Sequence, residues 1–367
     1  MSVQQLPFLE ILQDVSRGNI KTPQKEFLSE GDIPVVDQGK QLIAGYTNDP
    51  ARVCKVTPPV IVFGDHTRAI KFLDFEFAMG ADGTKVLAPR IECDLKYFYH
   101  ALRATHIPDA GYSRHFKFLK ETKLPVPTLS EQKRIAAILD AADALRAKRR
   151  ETLAQLDTLL QSTFLEMFGN PVTNPQGWTV KTLGEFAEIG TGSTPSRKNP
   201  DNFNGDIPWV KSTEVAWERI DTTSETVSEL GRKSARLKLY PRGSVVVALY
   251  GQGKTRGKCG ILGVDATINQ ACCALTTRSN VSNIFLYSFL KQSYAQLRSE
   301  SRGGNQENLN LSIVKSFAIP VPPSDLQNRF ATIVQSVEQQ KSRLRAHLDE
   351  LDTLFASLQA RAFAGEL

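Results

Sequence analysis

The chain has 367 residues, 41% of them hydrophobic, so its length and apolar content suffice for two or three packed domains. Its formal net charge is +6, from 45 basic and 39 acidic residues, which modestly favours an anionic partner. The sequence shows neither an apolar segment of about 18 residues nor a signal peptide, so a cytoplasmic protein without membrane contact is expected.

Residues 1–124 are predicted to form a first mixed α/β block. Apolar runs at Pro34–Val36, Val60–Phe63 and Lys85–Leu87 predict strands, and Leu95–Thr105 predicts a helix. Short loops of this block carry side chains suited to contact with a nucleic acid, although an ordinary turn is the alternative for each. These candidates are Gln38, Lys40, His66, Arg68, Ser113, Arg114 and His115.

Residues 125–170 predict one long helix. Pro125 and Pro127 hold its entry in an extended conformation, Ser130 is a good N-cap residue, and Gly169 helps to end it. A helix of about 39 residues is ~58 Å long at 1.5 Å per residue, too long for a small domain. Its apolar stripe is expected to pair with another helix through Ile135, Ile138, Leu145, Leu156 and Leu159.

Residues 171–318 predict a second block. Its strands are expected at Ile207–Val210, Ser244–Ala248 and Ala271–Leu275, and a helix at Asn283–Leu297. The five cysteines form no CxxC pair, which favours reduced thiols over a disulfide framework or a zinc site. The adjacent pair at Cys272 is expected to be packed in the core.

The stretch Gly231–Cys259 has eight basic residues, no acidic residue and two interleaved tyrosines. Charge of a single sign favours phosphate contacts, and a solvated surface is the alternative. A later polar loop, Ser301–Asn310, has Arg, Asn and Gln, the residue types that bind guanine and adenine edges. The second-block candidates for nucleic-acid contact are Arg197, Lys198, Lys211, Arg232, Lys233, Lys254, Arg256, Lys258, Arg302, Asn305 and Gln306.

Residues 319–367 predict a second long helix, with Asp325 as its N-cap. Apolar residues recur every seven positions, which indicates a coiled-coil seam. The expected pairing residues are Phe330, Val337, Leu344, Leu351 and Leu354.

The two helices are copies of one segment. Pro125–Asn170 matches Pro320–Gly365 without a gap over 46 positions, and Gly31–Pro34 recurs as Gly205–Pro208. The predicted fold class is therefore α+β: two related mixed α/β domains joined by two long helices that form an antiparallel coiled coil, with approximate twofold symmetry. Such a frame suits a twofold target such as duplex DNA. Two unrelated surface helices are the alternative.

Two motifs suggest catalysis, and both are weak. Ala248–Thr255 resembles a phosphate-binding loop, but the next residues are a poor helix start, and that motif needs a helix. Pro108-Asp109 with Glu121–Lys123 resembles a nuclease pattern, without a further carboxylate cluster to bind metal. An amino-methyltransferase motif and a nucleophile–His–acid set are also missing, so the chain is predicted to be non-catalytic and without a metal site.

The layout resembles the specificity subunits of type I restriction–modification enzymes over the whole chain. The residues that carry the resemblance are Ile33–Lys40, Trp178 through Leu183-Gly184 to Gly192–Pro195, Gly303–Gln306, and the Pro-Val-Pro…Gln…Arg entry to each long helix. The resemblance implies two target-recognition domains, each for one half of a split DNA site. It also implies spacer helices that set the gap between the half-sites.

The protein partners and the cofactors follow only from this resemblance. It implies double-stranded DNA, two modification (methyltransferase) subunits docked on the helices, and restriction (endonuclease/translocase) subunits joined to that core. No cofactor is expected in this chain; S-adenosylmethionine, ATP and Mg are expected on the partner subunits. A stand-alone nuclease or NTPase, and a coiled-coil adaptor without DNA contact, are the alternative functions.

Overall fold

The computed structural model describes residues 3–111, 113–251, 253–278, 282–300 and 308–367. Contacts divide the chain into two compact units. Unit 1 is Met1–Glu151 with Arg345–Leu367, and unit 2 is Thr152–Leu344. Each unit includes part of both long helices. The predicted segments 1–124, 125–170, 171–318 and 319–367 follow the order of the chain, and their bounds stay a prediction.

Unit 1 contains two four-stranded sheets and a strand pair. Its elements are β1 (Gln4–Pro7), α1 (Phe8–Ile11), β2 (Leu12–Asp14), β3 (Lys21–Thr22), β4 (Ile33–Val36), β5 (Gly45–Thr47), β6 (Val60–Gly64), β7 (Ile70–Leu73), β8 (Ala78–Gly80), β9 (Thr84–Pro89), α2 (Leu95–Ala104), α3 (Phe116–Lys120), β10 (Lys123–Val126) and the start of α4 (Leu129–Phe168). The sheet orders are β2-β9-β6-β7 and β3-β8-β4-β5, and β1 pairs with β10.

Unit 2 contains a five-stranded sheet, a three-stranded sheet and a strand pair. Its elements are β11 (Thr179–Thr182), α5 (Leu183–Phe186), β12 (Ala187–Thr191), β13 (Phe203–Val210), β14 (Arg219–Ile220), β15 (Thr226–Val227), α6 (Glu229–Ser234), β16 (Val245–Ala248), β17 (Cys259–Leu262), β18 (Thr267–Ile268), β19 (Cys272–Thr277), α7 (Asn283–Gln292), α8 (Tyr294–Ser299), α9 (Leu311–Ser316), β20 (Ala318–Val321) and the start of α10 (Ser324–Ala364). The orders are β12-β19-β16-β17-β14 and β15-β13-β18, and β11 pairs with β20.

Each unit has a central strand that is buried on both faces. In β6, Ile61 and Phe63 belong to one hydrophobic cluster and Val60 and Val62 to another. In β16, alternate residues likewise separate into two clusters. A strand covered on both sides needs apolar residues at every position, so the sequence shows a continuous apolar run and no alternation. All the strand predictions are confirmed, and Cys272 and Cys273 are buried in β19.

The Pro-Val-Pro…Gln motif has the same geometry at the start of both long helices. The side-chain amide of Gln132 donates to the Pro127 carbonyl at 2.9 Å and accepts from the Asp94 backbone N–H at 2.9 Å. Gln327 repeats this with the Pro322 carbonyl at 2.8 Å and the backbone N–H of the α7 N-cap residue, Ser282, at 3.2 Å. Each glutamine therefore fixes the start of a neighbouring helix against the entry to its own.

The long helices run antiparallel in each unit. In unit 1, Arg134 Nη2 donates to the Leu367 carbonyl at 2.5 Å, and Arg150 Nη2 lies 2.9 Å from Asp352 Oδ1. In unit 2, the rings of Phe164 and Phe168 lie 5.6 Å and 5.3 Å from that of Phe330. The start of α4 thus lies beside the residues that follow the end of α10, and late residues of α4 contact early residues of α10, as the predicted antiparallel pairing requires.

Local details correct three expectations. Thr128, not Ser130, precedes α4, and its hydroxyl accepts from the Glu131 backbone N–H at 3.4 Å. Asp325 lies inside the first turn of α10. The helix predicted at Asn283–Leu297 is two helices, because Ser293 ends α7 and precedes α8. By contrast, α2 covers the predicted segment, with Asp94 as its N-cap.

Candidate nucleic-acid interface

Loops from three distant stretches of unit 1 meet around Gln38. Its side-chain oxygen accepts from the His66 backbone N–H at 3.1 Å, and its carbonyl accepts from the Thr67 hydroxyl. His66 Nδ1 lies 3.2 Å from the Ser113 carbonyl oxygen. The structure therefore brings together Gln38, His66 and Ser113, which were selected separately from the sequence. Lys40 is an exposed neighbour on the Gln38 loop.

Two other candidates of unit 1 hold loops in place. The Arg68 guanidinium lies 2.7 Å from Asp109 and donates to the Ile107 carbonyl at 3.2 Å. His115 is only 1% exposed; its Nε2 accepts from the Ala110 backbone N–H, so Nδ1 carries the proton donated to the Asp65 carbonyl at 3.0 Å. The structure thus corrects the assignment of His115, whose ring is enclosed by protein. Its neighbour Arg114 is exposed.

In unit 2, one carboxylate holds two candidate cations. Glu225 lies 2.7 Å from Arg197 Nη1 through one oxygen and 2.7 Å from Lys211 Nζ through the other. Hydrogen bonds from Arg197 and then Lys211 lower the pKa of Glu225 to about 2, so the carboxylate stays charged at neutral pH. The Arg197 guanidinium also lies 4.5 Å from the Phe203 ring centre. Lys198 is the exposed residue beside it.

The basic stretch Gly231–Cys259 is not one surface. On α6, Arg232 and Lys233 both pair with Glu229, at 2.7 Å and 3.6 Å, and Lys238 pairs with Glu188 from β12. Acidic residues outside the stretch therefore neutralise part of it. This is a correction to the expectation of uniform positive charge.

Three further cations of the stretch, Lys254, Arg256 and Lys258, occupy the turn between β16 and β17. Lys254 is exposed, whereas Arg256 and Lys258 are half-buried. The turn includes three glycines with positive φ: +143° at Gly251, +63° at Gly253 and +82° at Gly257. Because L-residues rarely adopt such φ values, glycine at these positions lets the backbone turn tightly. Arg302, Asn305 and Gln306 lie outside the described residues, so their predicted role stays a prediction.

The structure gives no support to either catalytic motif. Gly253–Gly257 forms turns and Cys259 begins β17, so the helix required after a phosphate-binding loop is replaced by a strand. Asp109 is paired with Arg68. Within the ranges that the structure describes, no cluster of three His, Cys, Asp or Glu side chains could hold a metal ion.

The predicted helix-pairing residues fall into three groups. Ile135, Phe330 and Val337 are buried, and Ile138, Leu156, Leu344 and Leu351 are half-buried. Leu145, Leu159 and Leu354 are 56%, 48% and 50% exposed, which corrects their assignment to the seam.

The seam contains charged residues that sequence reasoning missed. Arg146 covers the Phe355 ring at 4.3 Å, and Lys341 is 5% exposed. Apolar periodicity counts only apolar residues. It therefore assigned the seam to neighbouring leucines and omitted these two cations. The internal repeat could have indicated these residues, because positions 146 and 341 are equivalent and both are cationic.

A family model described as the type I restriction modification DNA specificity domain matches residues 12–156 and 175–351. The two matches cover most of the chain and correspond to its two internal copies. The chain belongs to this family.

Individual relatives agree with the family model. This specificity-domain protein is 26% identical to the EcoR124I/EcoR124II specificity subunit of Escherichia coli, over 98% of this chain and 89% of that one. It is 23% identical to the MjaIX specificity subunit of Methanocaldococcus jannaschii, over 68% of this chain and 61% of that one.

Solved structures show the same fold. The S subunit of a type I restriction–modification system from M. genitalium matches with a TM-score of 0.63 at 17% identity, covering 99% of this chain and 96% of that one. A chain from a study of assembly and conformational transition of the type I R-M system matches with a TM-score of 0.54 at 18% identity, covering 91% and 92%. Within the described ranges, no helix is long and apolar enough to span a bilayer.

Proposed function

We propose that this chain is the DNA sequence-specificity subunit of a type I restriction–modification complex. The observation that carries the proposal is the duplicated family match, with one copy covering most of each block. The loops around Gln38 in unit 1 carry amide and cationic side chains, and the loop around Arg197 in unit 2 carries cationic ones. Each unit would bind one half of a gapped DNA target, with cations on phosphates and amide or guanidinium groups on base edges.

Partner subunits would carry out the chemistry. Two modification subunits would dock on the paired helices α4 and α10 and carry out adenine methylation with S-adenosylmethionine. Restriction subunits would join that core and use ATP and Mg. The exposed leucines Leu145, Leu159 and Leu354 support a docking role, because apolar side chains on the outside of a coiled coil are available to a partner. The complex would act on DNA in the cytoplasm.

The experiment combines the purified chain with its modification subunit and maps methylated adenines on a genomic DNA sample. A bipartite sequence with a fixed gap is expected, whereas the chain with S-adenosylmethionine alone should methylate nothing. Methyl transfer or ATP hydrolysis by the chain alone would favour the stand-alone enzyme. Absence of salt-dependent DNA binding, both alone and with the partner, would favour the adaptor.

A further inference from the structure

Side chains of α8 hold the turn at Gly253–Lys258 from one side. Arg298 donates from Nη1 to the Arg256 carbonyl at 2.7 Å and from Nη2 to the Gly253 carbonyl at 2.9 Å. The Tyr294 hydroxyl donates to the Lys254 carbonyl at 2.6 Å. Three carbonyl groups of one short turn are therefore directed at α8, where a guanidinium and a hydroxyl satisfy them.

The geometry of the peptide bond determines which backbone groups face the side of the turn opposite α8. In a trans peptide the C=O and the next N–H point in opposite directions. The N–H groups of Lys254 and Thr255, which follow the carbonyls of Gly253 and Lys254, therefore point away from α8. Among the turn and loop hydrogen bonds of the described residues, neither the Lys254 N–H nor the Thr255 N–H donates to a backbone carbonyl. The Gly257 N–H, by contrast, donates to the Ala248 carbonyl at 2.9 Å.

The turn combines these two N–H groups with positive side chains. Lys254 is exposed, and Lys258 and Arg256 flank the same backbone. Successive N–H groups directed outward from a glycine-containing turn form a concave site for an anion. The packing behind the turn is tight, since a Cβ at Gly257 would lie 3.0 Å from Arg298 Cγ. The Tyr294 ring in turn packs against Trp217, with ring centres 4.9 Å apart.

We propose that Arg298 is a positioning residue that holds Gly253–Lys258 as an anion-binding turn, whose ligand is a backbone phosphate of duplex DNA. The choice of a DNA phosphate rests on the proposed function of the chain. A free nucleotide is disfavoured, because β17 follows the turn where a nucleotide-binding loop would have a helix to bind further phosphates. Arg298 acts through the backbone and is not required to touch the ligand.

The positioning step can be tested without DNA. Trypsin cleaves after Lys254, Arg256 and Lys258, and a turn held by Arg298 should be a poor substrate in the folded full-length chain. Arg298→Met should accelerate cleavage at these bonds at least severalfold. Arg298→Lys should not restore protection, since one ammonium cannot reproduce the planar fork that reaches two carbonyls. Lys291→Met removes the same charge from α7 and serves as the control.

The ligand is tested by binding of a random-sequence duplex at several salt concentrations. Loss of one phosphate contact should reduce the slope of log K against log salt by about 0.9 in Arg298→Met, and leave it unchanged in Lys291→Met. Tyr294→Phe, which removes a single hydroxyl, should give a smaller change of the same kind and covers the case in which Arg298→Met fails to fold.

The outcomes separate the two proposals. Wild-type cleavage rates in folded Arg298→Met and Tyr294→Phe would overturn the positioning role. Increased cleavage with a wild-type salt slope would overturn the phosphate as the ligand and leave the proposed function intact. A wild-type chain that binds no DNA, with or without its modification subunit, would overturn the proposed function and the phosphate ligand together, while the cleavage data would still decide the role of Arg298.

Discussion

Lys341 and Asp157 form an ion pair across the coiled-coil seam of unit 2, with Nζ 2.7 Å from Oδ1. The same pair exists in unit 1, where Arg146 contacts Asp352. The two pairs are related by the internal repeat, because Arg146 is equivalent to Lys341 and Asp157 to Asp352. Each helix thus contributes one cation and one carboxylate, and a shift of one helix along the other would separate both pairs.

The first prediction concerns this pair. Asp157→Ala should lower the free energy of unfolding by about 1–3 kcal/mol, because Glu338 is then the one acidic partner that the described residues leave to the buried ammonium of Lys341. Lys341→Met should leave stability unchanged or higher, since an apolar chain of similar length suits a buried position. Urea denaturation measures both, and Asp349→Ala, an exposed carboxylate on α10, is the control. Equal destabilisation by Asp349→Ala would contradict the assigned role.

The second prediction compares two cations of the basic stretch. Lys254→Gln should weaken binding to all DNA sequences alike and flatten the salt slope by about 0.9, because an exposed lysine neutralises one phosphate. Arg232→Gln should change neither, since Glu229 already neutralises Arg232. Fluorescence anisotropy with random and target duplexes gives both quantities. A larger effect from Arg232→Gln would show that α6 provides the phosphate contact.

The third prediction is a pH dependence from His100 on α2. Burial lowers the pKa of His100, against the opposing effect of Asp140, whose Oδ1 lies 2.8 Å from Nε2. Because the unfolded chain then binds a proton more readily, stability should fall as pH drops below about 6.5, towards the lower pKa of the folded protein.

Thermal unfolding between pH 7.5 and pH 5 measures this loss. His100→Gln should reduce it, whereas His106→Gln, at an exposed position of the same unit, should retain it. The carboxylates of Asp140 and Asp143 and the cation of Arg103 also act on His100, so Asp140→Asn is a useful second variant. An unchanged pH profile in His100→Gln would assign the effect to another group.

The fourth prediction is that the helices set the gap between the DNA half-sites. Four residues inserted after Arg150 and after its repeat equivalent, Arg345, lengthen each helix by ~6 Å and nearly preserve the apolar stripe. At 3.4 Å per base pair, this extension should lengthen the gap by about one or two base pairs. Both half-site sequences should stay unchanged. Methylation mapping in cells gives the result. An active variant with the original gap, or with altered half-site bases, would show that the helices do not set the spacing.

The sequence alone determined the repeated architecture. The duplication from Pro125 and from Pro320 predicted both long helices, since the same entry motif and apolar recurrence appear twice. Continuous apolar runs predicted β6 and β16, because a strand covered on both faces has no polar side. These features are local or periodic, and so they can be read without knowing which distant residues meet.

Only the tertiary structure decided which charged and polar residues are available. Arg232 pairs with Glu229 just outside its basic stretch, whereas Lys238 pairs with the more distant Glu188. The buried ring of His115 is hydrogen-bonded to the carbonyl of Asp65, which lies 50 residues earlier in the chain. Arg298 was not selected at all, because its role is to hold carbonyls 42 and 45 residues earlier in the chain. An ion pair or a hydrogen bond depends on distance in space, which composition and periodicity do not encode.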